Sequence, residues 1–320
     1  MNNQKIETKK PATCCSVTGC LNHAVSMDGT CAPHSNGDGR ILCYTAQPAP
    51  PRNAAAPHGA LGFEVEWTAP SSVQRTCYAV GRTTAAGSNS RSICHRDGSV
   101  DGEHKLAGKC CGTRSIISAV VAMSRRLYIA GARADHTCGG HVHIDARPPQ
   151  NSPHGSGSWA NRLWAQTRVR PVADWLANHQ AQWFETIPSS RRGTTTDGYN
   201  RLVNTSVATD PKRFFRNGQD GGHFTWVNYR PNIGTLEIRL HPGTLHPIKI
   251  RGWGAVCADL LHLMRGPATD SELIALADST DGPFSNMARN DIWSPLAWDY
   301  LTARRLAGGS LSLRYPIICE

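Results

Sequence analysis

Three short segments of the chain alternate between apolar and polar side chains, and each carries two polar residues two positions apart. The segments are LGFEVEWT at 61–68, CGGHVHI at 138–144 and GTLEIRL at 234–240. Alternate residues of a β-strand point to the same face of a sheet. The pattern therefore predicts three strands, each with one polar pair on one face: Glu64 with Glu66, His141 with His143, and Glu237 with Arg239.

The rest of the chain after residue 58 contains patterns typical of both helices and strands. One more alternating segment covers residues 223–229. Helices and strands follow each other without regular alternation, which favours an α+β fold with an antiparallel sheet. Apolar residues recur near helical spacing in 113–134, 159–170, 172–185, 251–264, 271–278 and 295–306.

A change in composition near residue 58 predicts a separate N-terminal module. Residues 1–45 are rich in Cys and His and poor in large apolar side chains. Residues 46–58 have the Pro- and Ala-rich composition of a linker. We therefore expect a main domain over 59–320, preceded by a small module.

The small module carries a pattern that suits zinc. Its spacing is Cys15-x4-Cys20-x10-Cys31-x2-His34, and three thiolates with one imidazole suit tetrahedral Zn²⁺. So small a segment buries little apolar surface, so the metal would supply its folding free energy. The spacing resembles short treble-clef-like zinc modules of phage and mobile-element proteins, which makes a phage origin one interpretation. Cys14 and His23 are alternative ligands close by, and Cys43 is a more distant one. A flexible tail with reduced cysteines is the alternative to a zinc site.

Charge and cysteine usage restrict the partners and the compartment. A formal net charge of +10 suits phosphate-rich partners, whether nucleotides or nucleic acid, although solubility alone also accounts for it. The sequence has 12 cysteines and begins without an apolar leader, so we expect a reducing, cytoplasmic compartment rather than a disulfide framework. No apolar stretch reaches the roughly 18 residues that a membrane-spanning helix needs.

The polar pairs of the three strands suggest a metal and phosphate site. If the strands are neighbours in one sheet, their carboxylates, imidazoles and guanidinium converge on a single surface. Carboxylates with an imidazole suit Mg²⁺ or Mn²⁺, and an arginine beside them suits a phosphate oxygen. These are the groups that phosphoryl transfer from ATP requires. A solvated outer face of the sheet is the simpler alternative.

Four motifs in order resemble the amidoligase family, relatives of glutamine synthetase and glutamate–cysteine ligase. They are GFEVEW, RDGSVDGEHKL, CGGHVHID and GTLEIRLHPGTL, and they extend over most of residues 61–265. The resemblance implies a curved antiparallel sheet that forms a funnel, with helices packed outside. It also implies an ATP-dependent ligase that joins a carboxylate to an amine through an acyl phosphate.

The resemblance implies a role for each polar residue. His143 would lie near the nucleotide phosphates, and Arg239 would hold the transferring phosphoryl group. Asn228 and Arg230 are further candidates on the nucleotide side. The implied Mg²⁺ or Mn²⁺ ligands are Glu64, Glu66, Glu103, His141 and Glu237, and the residues expected to carry the chemistry are Glu64, Glu66, Glu237 and Arg239.

The sequence departs from the family pattern after the Asp-Gly-Ser turn at residues 97–99. The family often has Glu-Leu-Val-Ser-Pro there, whereas this chain has Glu103-His104-Lys105-Leu106. His104 is therefore an alternative ligand to Glu103, or an ordinary surface residue in a turn. Further on, residues 186–222 form either a mobile lid or a long surface loop. Candidates in it for contacting an anionic substrate are Arg191, Arg192 and Lys212.

Three functions are consistent with these patterns. The first is the ATP-dependent ligase. The second is an inactive ligase fold kept as a binding or structural component, for example of a phage particle. The third is a nucleic-acid-associated protein that uses the zinc module, although basic residues are few in that module. Retention of all three polar pairs favours the enzyme, because buried carboxylates are costly unless they bind metal or pair.

Overall fold

The computed structural model describes residues 61–86, 93–95, 100–107, 112–149, 158–193, 225–230 and 234–309. The predicted linker and zinc module lie outside these ranges, and most of the 186–222 segment does too. Within the described ranges, every helix is too short or too polar to cross a membrane.

One antiparallel sheet organises the described part of the chain. Its six strands lie in the order β2-β3-β1-β4-β6-β5, and each neighbouring pair is antiparallel. The strands with the three polar pairs, β1, β4 and β6, are adjacent, and the predicted α+β class is confirmed. The bounds are β1 Leu61–Trp67, β2 Ile93–His95, β3 Gly102–Ala107, β4 Gly139–Asp145, β5 Val227–Arg230 and β6 Thr235–Pro242.

The helices follow the predicted apolar spacing closely in the C-terminal half. Pro171 lies in the first turn of the helix Arg170–Asn178, a position that proline favours. A π-helical turn at Ala165–Val169 precedes that helix. The helices are α1 Ser71–Ala86, α2 Gly112–Ile129, α3 Ser158–Trp164, α4 Arg170–Asn178, α5 Gln180–Phe184, α6 Pro247–Arg265, α7 Asp270–Ala277 and α8 Pro295–Leu306.

Helix α2 ends five residues before its predicted end at residue 134. Gly131 has a φ of 102°, the left-handed conformation that favours glycine. The Ala132 N–H donates to the Leu127 carbonyl, and the Gly131 N–H donates to the Tyr128 carbonyl. These two bonds close the helix, so the apolar spacing beyond Gly131 is not helical.

Apolar residues on one face of the sheet form the main core. Phe63, Val65, Val142, Leu236 and Ile238 are all buried. Helices α2 and α6 contact this part of the sheet and each other. Each such side chain contributes roughly 1.5–3 kcal/mol by leaving water. The polar residues that alternate with them therefore share the opposite face.

Strand β3 was not predicted, and it decides the role of His104. His104 is fully buried on the core side, where its Nδ1 accepts a hydrogen bond of 2.8 Å from the Trp67 indole. Burial lowers the pKa of His104 to about 4, so the ring is neutral. Both alternatives suggested for His104, a metal ligand and a surface residue, are therefore wrong. Glu103, next to it, points to the polar face.

Candidate metal centre

Strand register brings the polar residues of β1, β3 and β4 side by side. Glu64 lies opposite Lys105 on β3 and opposite His141 on β4, and Glu66 lies opposite Glu103. Directly opposite residues of an antiparallel pair have Cβ atoms about 4.5–5.5 Å apart. The side chains are thus in contact range through backbone pairing alone.

The register of β4, β6 and β5 extends the same face. His143 pairs with Glu237, which pairs on its other side with Asn228. Between Gly140 and Val142 the register of β4 and β6 shifts, so that one β4 residue faces two residues of β6. Arg239 is one of the two β6 residues in this bulge, and its guanidinium lies 2.6 Å from an oxygen of Glu237 on the same strand.

One triad of ligand atoms is formed by Glu64, His143 and Glu237. The three residues are buried, and their ligand atoms lie within 4.8 Å of one another. His143 Nε2 is 3.3 Å from Glu64 Oε1 and 3.9 Å from Glu237 Oε1. The other ring nitrogen, Nδ1, lies 3.1 Å from the hydroxyl of Thr235. That contact fixes the orientation of the imidazole ring. The second ring nitrogen of a metal-binding histidine is commonly held by a neighbour in this way.

A second triad is formed by Glu64, Glu103 and His141, also buried and also within 4.8 Å. His141 Nδ1 lies 3.1 Å from Glu64 Oε2. The ammonium of Lys105 lies in the same place, 2.9 Å from Glu64 Oε1 and 3.0 Å from Glu103 Oε2. Glu64 therefore belongs to both triads and contacts a lysine as well.

The electrostatics keep the two central carboxylates ionised. Burial acts to raise the pKa of Glu64, but the His143 and His141 imidazoles outweigh it and hold that pKa well below its usual range. Burial also acts to raise the pKa of Glu237, and His143 and Arg239 bring it below its usual value. Metal ligands must be deprotonated, so both residues are in the required state.

Glu66 is held by the backbone of β4. Its Oε2 accepts a hydrogen bond of 2.5 Å from the Gly139 N–H, and its Oε1 lies 3.7 Å from His141 Nε2. A Cβ at Gly139 would lie 2.6 Å from His141 Nε2 and 3.3 Å from Glu66 Oε2. A glycine is therefore needed for the strand to approach these two side chains.

Polar groups at the β5–β6 end of the face have unused hydrogen-bonding capacity. Among the described residues, Asn228 Nδ2, Glu237 Oε2 and Arg239 Nε are buried and lack a hydrogen-bond partner. Arg230 NH1 lies 3.8 Å from Glu237 Oε2, and its side chain is 31% exposed. Buried polar atoms are nearly always satisfied in folded proteins, so these atoms suit a bound ligand.

Three contributors to the site were missed at the sequence level. Lys105, Thr235 and the Gly139 N–H all contact predicted site residues. Glu103 was selected by the family resemblance, and Lys105, two residues further along β3, lies on the same face of the sheet. Recognising Lys105 therefore required the prediction of β3 as a strand. The other two depend on cross-strand register, which the sequence does not encode locally.

Arg191 has a different environment from the one suggested for it. It is buried, and its guanidinium donates to the carbonyls of His136 and Thr137, just before β4. A Cβ at Gly139 would also be 3.3 Å from Arg191 NH2, so the side chain lies beside the site. Its hydrogen bonds hold the backbone of residues 136 and 137, which lead into β4.

The fold and this face define a class: an α+β protein whose antiparallel sheet carries a buried set of carboxylates, imidazoles and guanidinium groups. Residues 110–261, just under half of the chain, match the family described as Putative amidoligase enzyme. This is the family that the motifs resemble. The match includes β4 and β6, whereas the carboxylates of β1 and β3 precede it and join the site through strand register.

Two solved structures are similar to the chain at low identity. One is a bifunctional glutathione synthetase from Pasteurella multocida, with 11% identity, a TM-score of 0.42, and 79% of this chain and 48% of that chain covered. The other is the complex between the prokaryotic ubiquitin-like protein Pup and its ligase PafA, with 11% identity, a TM-score of 0.34, and coverage of 81% and 66%. The chain thus spans about half of the first and just under two thirds of the second. No curated protein matches it.

Proposed function

We propose that the chain is an ATP- and Mg²⁺-dependent carboxylate–amine ligase. The observation that carries the proposal is a single buried carboxylate, Glu64, shared by two triads of oxygen and nitrogen ligands on one face of the sheet. An arginine, Arg239, lies next to the same face. The amidoligase family match over residues 110–261 supports the same chemistry.

The donor set fits a hard divalent cation. Glu64, His143 and Glu237 would hold Mg²⁺ or Mn²⁺, since carboxylate oxygens with one imidazole suit these ions. Glu66, Glu103 and His141 complete the predicted ligand set, and they line the same surface. The bound ion would neutralise negative charge on the phosphate oxygens.

Arginine and amide groups would bind the anionic part of ATP. Arg239 uses one nitrogen to hold Glu237, and its buried Nε remains available for a phosphate oxygen. Asn228 lies beside it, and the half-buried Arg230 borders the face. A guanidinium in such a place stabilises the charge that develops during phosphoryl transfer.

The proposed reaction has two transfers. A substrate carboxylate oxygen attacks the γ-phosphorus, the bond to the β–γ bridging oxygen breaks, and ADP leaves with its electron pair. The amine then attacks the acyl carbon, the bond to the phosphate oxygen breaks, and phosphate leaves as the amine loses a proton. The protein's part is to hold both substrates in line and to exclude water.

A purely structural role explains this face less well. Four glutamates on it, Glu64, Glu66, Glu103 and Glu237, are each at most 7% exposed. Removing a carboxylate from water costs several kcal/mol unless the group is paired or bound to metal. A scaffold needs no such cluster, and an apolar face of the same volume would be at least as stable.

The test is ADP and phosphate release from ATP with Mg²⁺ and a mixture of carboxylates and amines. We expect Glu64→Gln and Glu237→Gln to lower turnover by about 10²-fold or more, since each loses a charge at the reacting phosphates. Glu185→Gln is the matched control, because Glu185 is a partly exposed glutamate that pairs with Arg305 rather than with a site residue.

Unchanged turnover in both site variants would contradict the assignment. Metal and nucleotide binding without turnover on any substrate in the wild-type protein would instead favour the inactive ligase fold. Salt-sensitive binding of nucleic acid without dependence on ATP would favour the third alternative.

A further inference from the structure

The ammonium of Lys105 bridges the two carboxylates of the second triad. It bonds to Glu64 Oε1 and Glu103 Oε2 at 2.9 and 3.0 Å. These are ordinary distances for charge-assisted hydrogen bonds between an ammonium and a carboxylate. Both carboxylates are buried, and the Lys105 side chain is only 17% exposed. The pair is therefore a buried one, in which losing the cation is costly.

The backbone holds Lys105 in this position. Lys105 lies directly opposite Glu64 in the β1–β3 pairing, and it is two residues from Glu103 on the same strand. All three side chains thus share one face by strand geometry. The lysine reaches both carboxylates without leaving the sheet, and it competes with any ion that would bind between them.

We infer that Lys105 is a tethered cation that takes the place of a divalent ion between Glu64 and Glu103. The nucleotide-free protein then binds one Mg²⁺ or Mn²⁺, at Glu64, His143 and Glu237. The inference rests on the metal-binding part of the proposed function. It assigns Glu103 to the lysine rather than to a metal in the wild-type protein.

Charge also opposes a divalent ion beside the lysine. The Lys105 ammonium already lies 2.9 and 3.0 Å from oxygens of Glu64 and Glu103, and both carboxylates are buried. An Mg²⁺ or Mn²⁺ ion between the same oxygens would lie next to the ammonium, where two positive charges repel strongly because little water screens them. Binding of an ion there therefore requires that the ammonium move away.

The test is metal stoichiometry, which does not require activity. Mn²⁺ would be titrated without nucleotide into the wild-type protein, Lys105→Met and Lys105→Arg, by calorimetry and by electron paramagnetic resonance. We expect one Mn²⁺ in the wild type, one in Lys105→Arg, which keeps the charge, and two in Lys105→Met. Two ions that share Glu64 would lie roughly 3.5–4 Å apart and give a spin-coupled Mn²⁺ spectrum.

The possible results separate the inference about Lys105 from the proposed function. Two ions in the wild type, or one ion in a folded Lys105→Met, would overturn the inference and leave the proposed function standing. No binding in any of the three proteins would contradict the proposed function and the inference together. Circular dichroism checks the fold, and Lys105→Gln serves as a second neutral variant if the methionine variant does not fold.

Discussion

At the scale of single residues, Gly139 determines how closely the backbone of β4 approaches the side chains of the site. Its N–H holds Glu66, and the space at its α-carbon is filled by His141 on one side and by Glu66 and Arg191 on the other. A single methyl group there must displace at least one proposed ligand. The site therefore depends on the absence of a side chain as much as on its charged groups.

We predict that Gly139→Ala weakens Mn²⁺ binding by about 10- to 100-fold, the range typical for disturbed neighbours of metal ligands. Gly140→Ala is the matched control, because the nearest atom to a Cβ there is at 3.4 Å, an ordinary contact. Calorimetric titration measures both variants. Equal affinity in the two would show that the close approach at Gly139 is unnecessary.

Much of the site was predictable at this scale because every second side chain of a strand points to the same face of the sheet. The alternation in LGFEVEWT and GTLEIRL selected Glu64, Glu66, Glu237 and Arg239 without knowledge of the fold. The partner of each residue was not predictable. That Glu64 contacts Lys105 follows from the pairing of β1 with β3, and pairing partners are set by long-range packing.

At the scale of elements, helix α4 contains an unfavourable charge. Asp174 pairs with Arg170 one turn earlier at 3.2 Å, and its Oδ1 is buried without a hydrogen-bond partner among the described residues. Burial raises the pKa of Asp174 from 3.8 to about 6 in spite of Arg170. The folded protein thus binds this proton more tightly than the unfolded chain does.

This shift predicts a pH-dependent gain in stability for Asp174→Asn. Because the folded pKa is the higher one, the wild type loses stability as pH rises from about 4 to about 6, and the loss is complete above that window. The variant, which does not titrate, should be more stable by about 1–3 kcal/mol at pH 8 and no more stable at pH 4. Urea unfolding at both pH values measures the difference.

Asp291→Asn is the control, because Asp291 is an exposed aspartate in the π-helical turn at Ala288–Ile292. An equal gain in both variants, or a gain that persists at low pH, would contradict the role of burial at Asp174.

Element boundaries were predictable where local chemistry marks them. Helix α8 has the bounds 295–306 that its apolar spacing predicted, with proline at its start. Helix α2 is shorter than predicted because the chain leaves the helix at Gly131. The glycine was visible in the sequence, but the prediction gave more weight to the apolar spacing that continues beyond it. Strand β3 carries GEHKLA, in which polar residues dominate, so its strand character comes from pairing on both sides rather than from its own pattern.

At the scale of the whole molecule, metal binding and folding are coupled. Glu64, His143 and Glu237 come from three different strands, so the proposed metal site exists only in the folded sheet. A ligand that binds only the folded state stabilises it by mass action. At 100 times its Kd the gain is about 2.7 kcal/mol.

We therefore expect saturating Mn²⁺ to raise the Tm of the protein by roughly 5–10 °C, given roughly 2–4 °C per kcal/mol for a domain of this size. The shift should vanish in Glu64→Gln and Glu237→Gln and persist in Glu185→Gln. Differential scanning calorimetry at constant ionic strength measures it. A shift of equal size in all four proteins would indicate binding elsewhere.

The strand order has a consequence for synthesis. Of the six described strands, β1 is made first but lies inside the sheet, and β6, which completes the metal triad, is made last. A nascent chain carries Glu64 without His141 and His143, which keep its buried carboxylate ionised, until β4 is made, and without Glu237 until β6 is made. Contacts between such distant segments form slowly. A ribosome that stalls before residue 237 would release a chain in which β4 lacks its β6 neighbour and the metal triad lacks Glu237, a product suited to degradation rather than to partial activity.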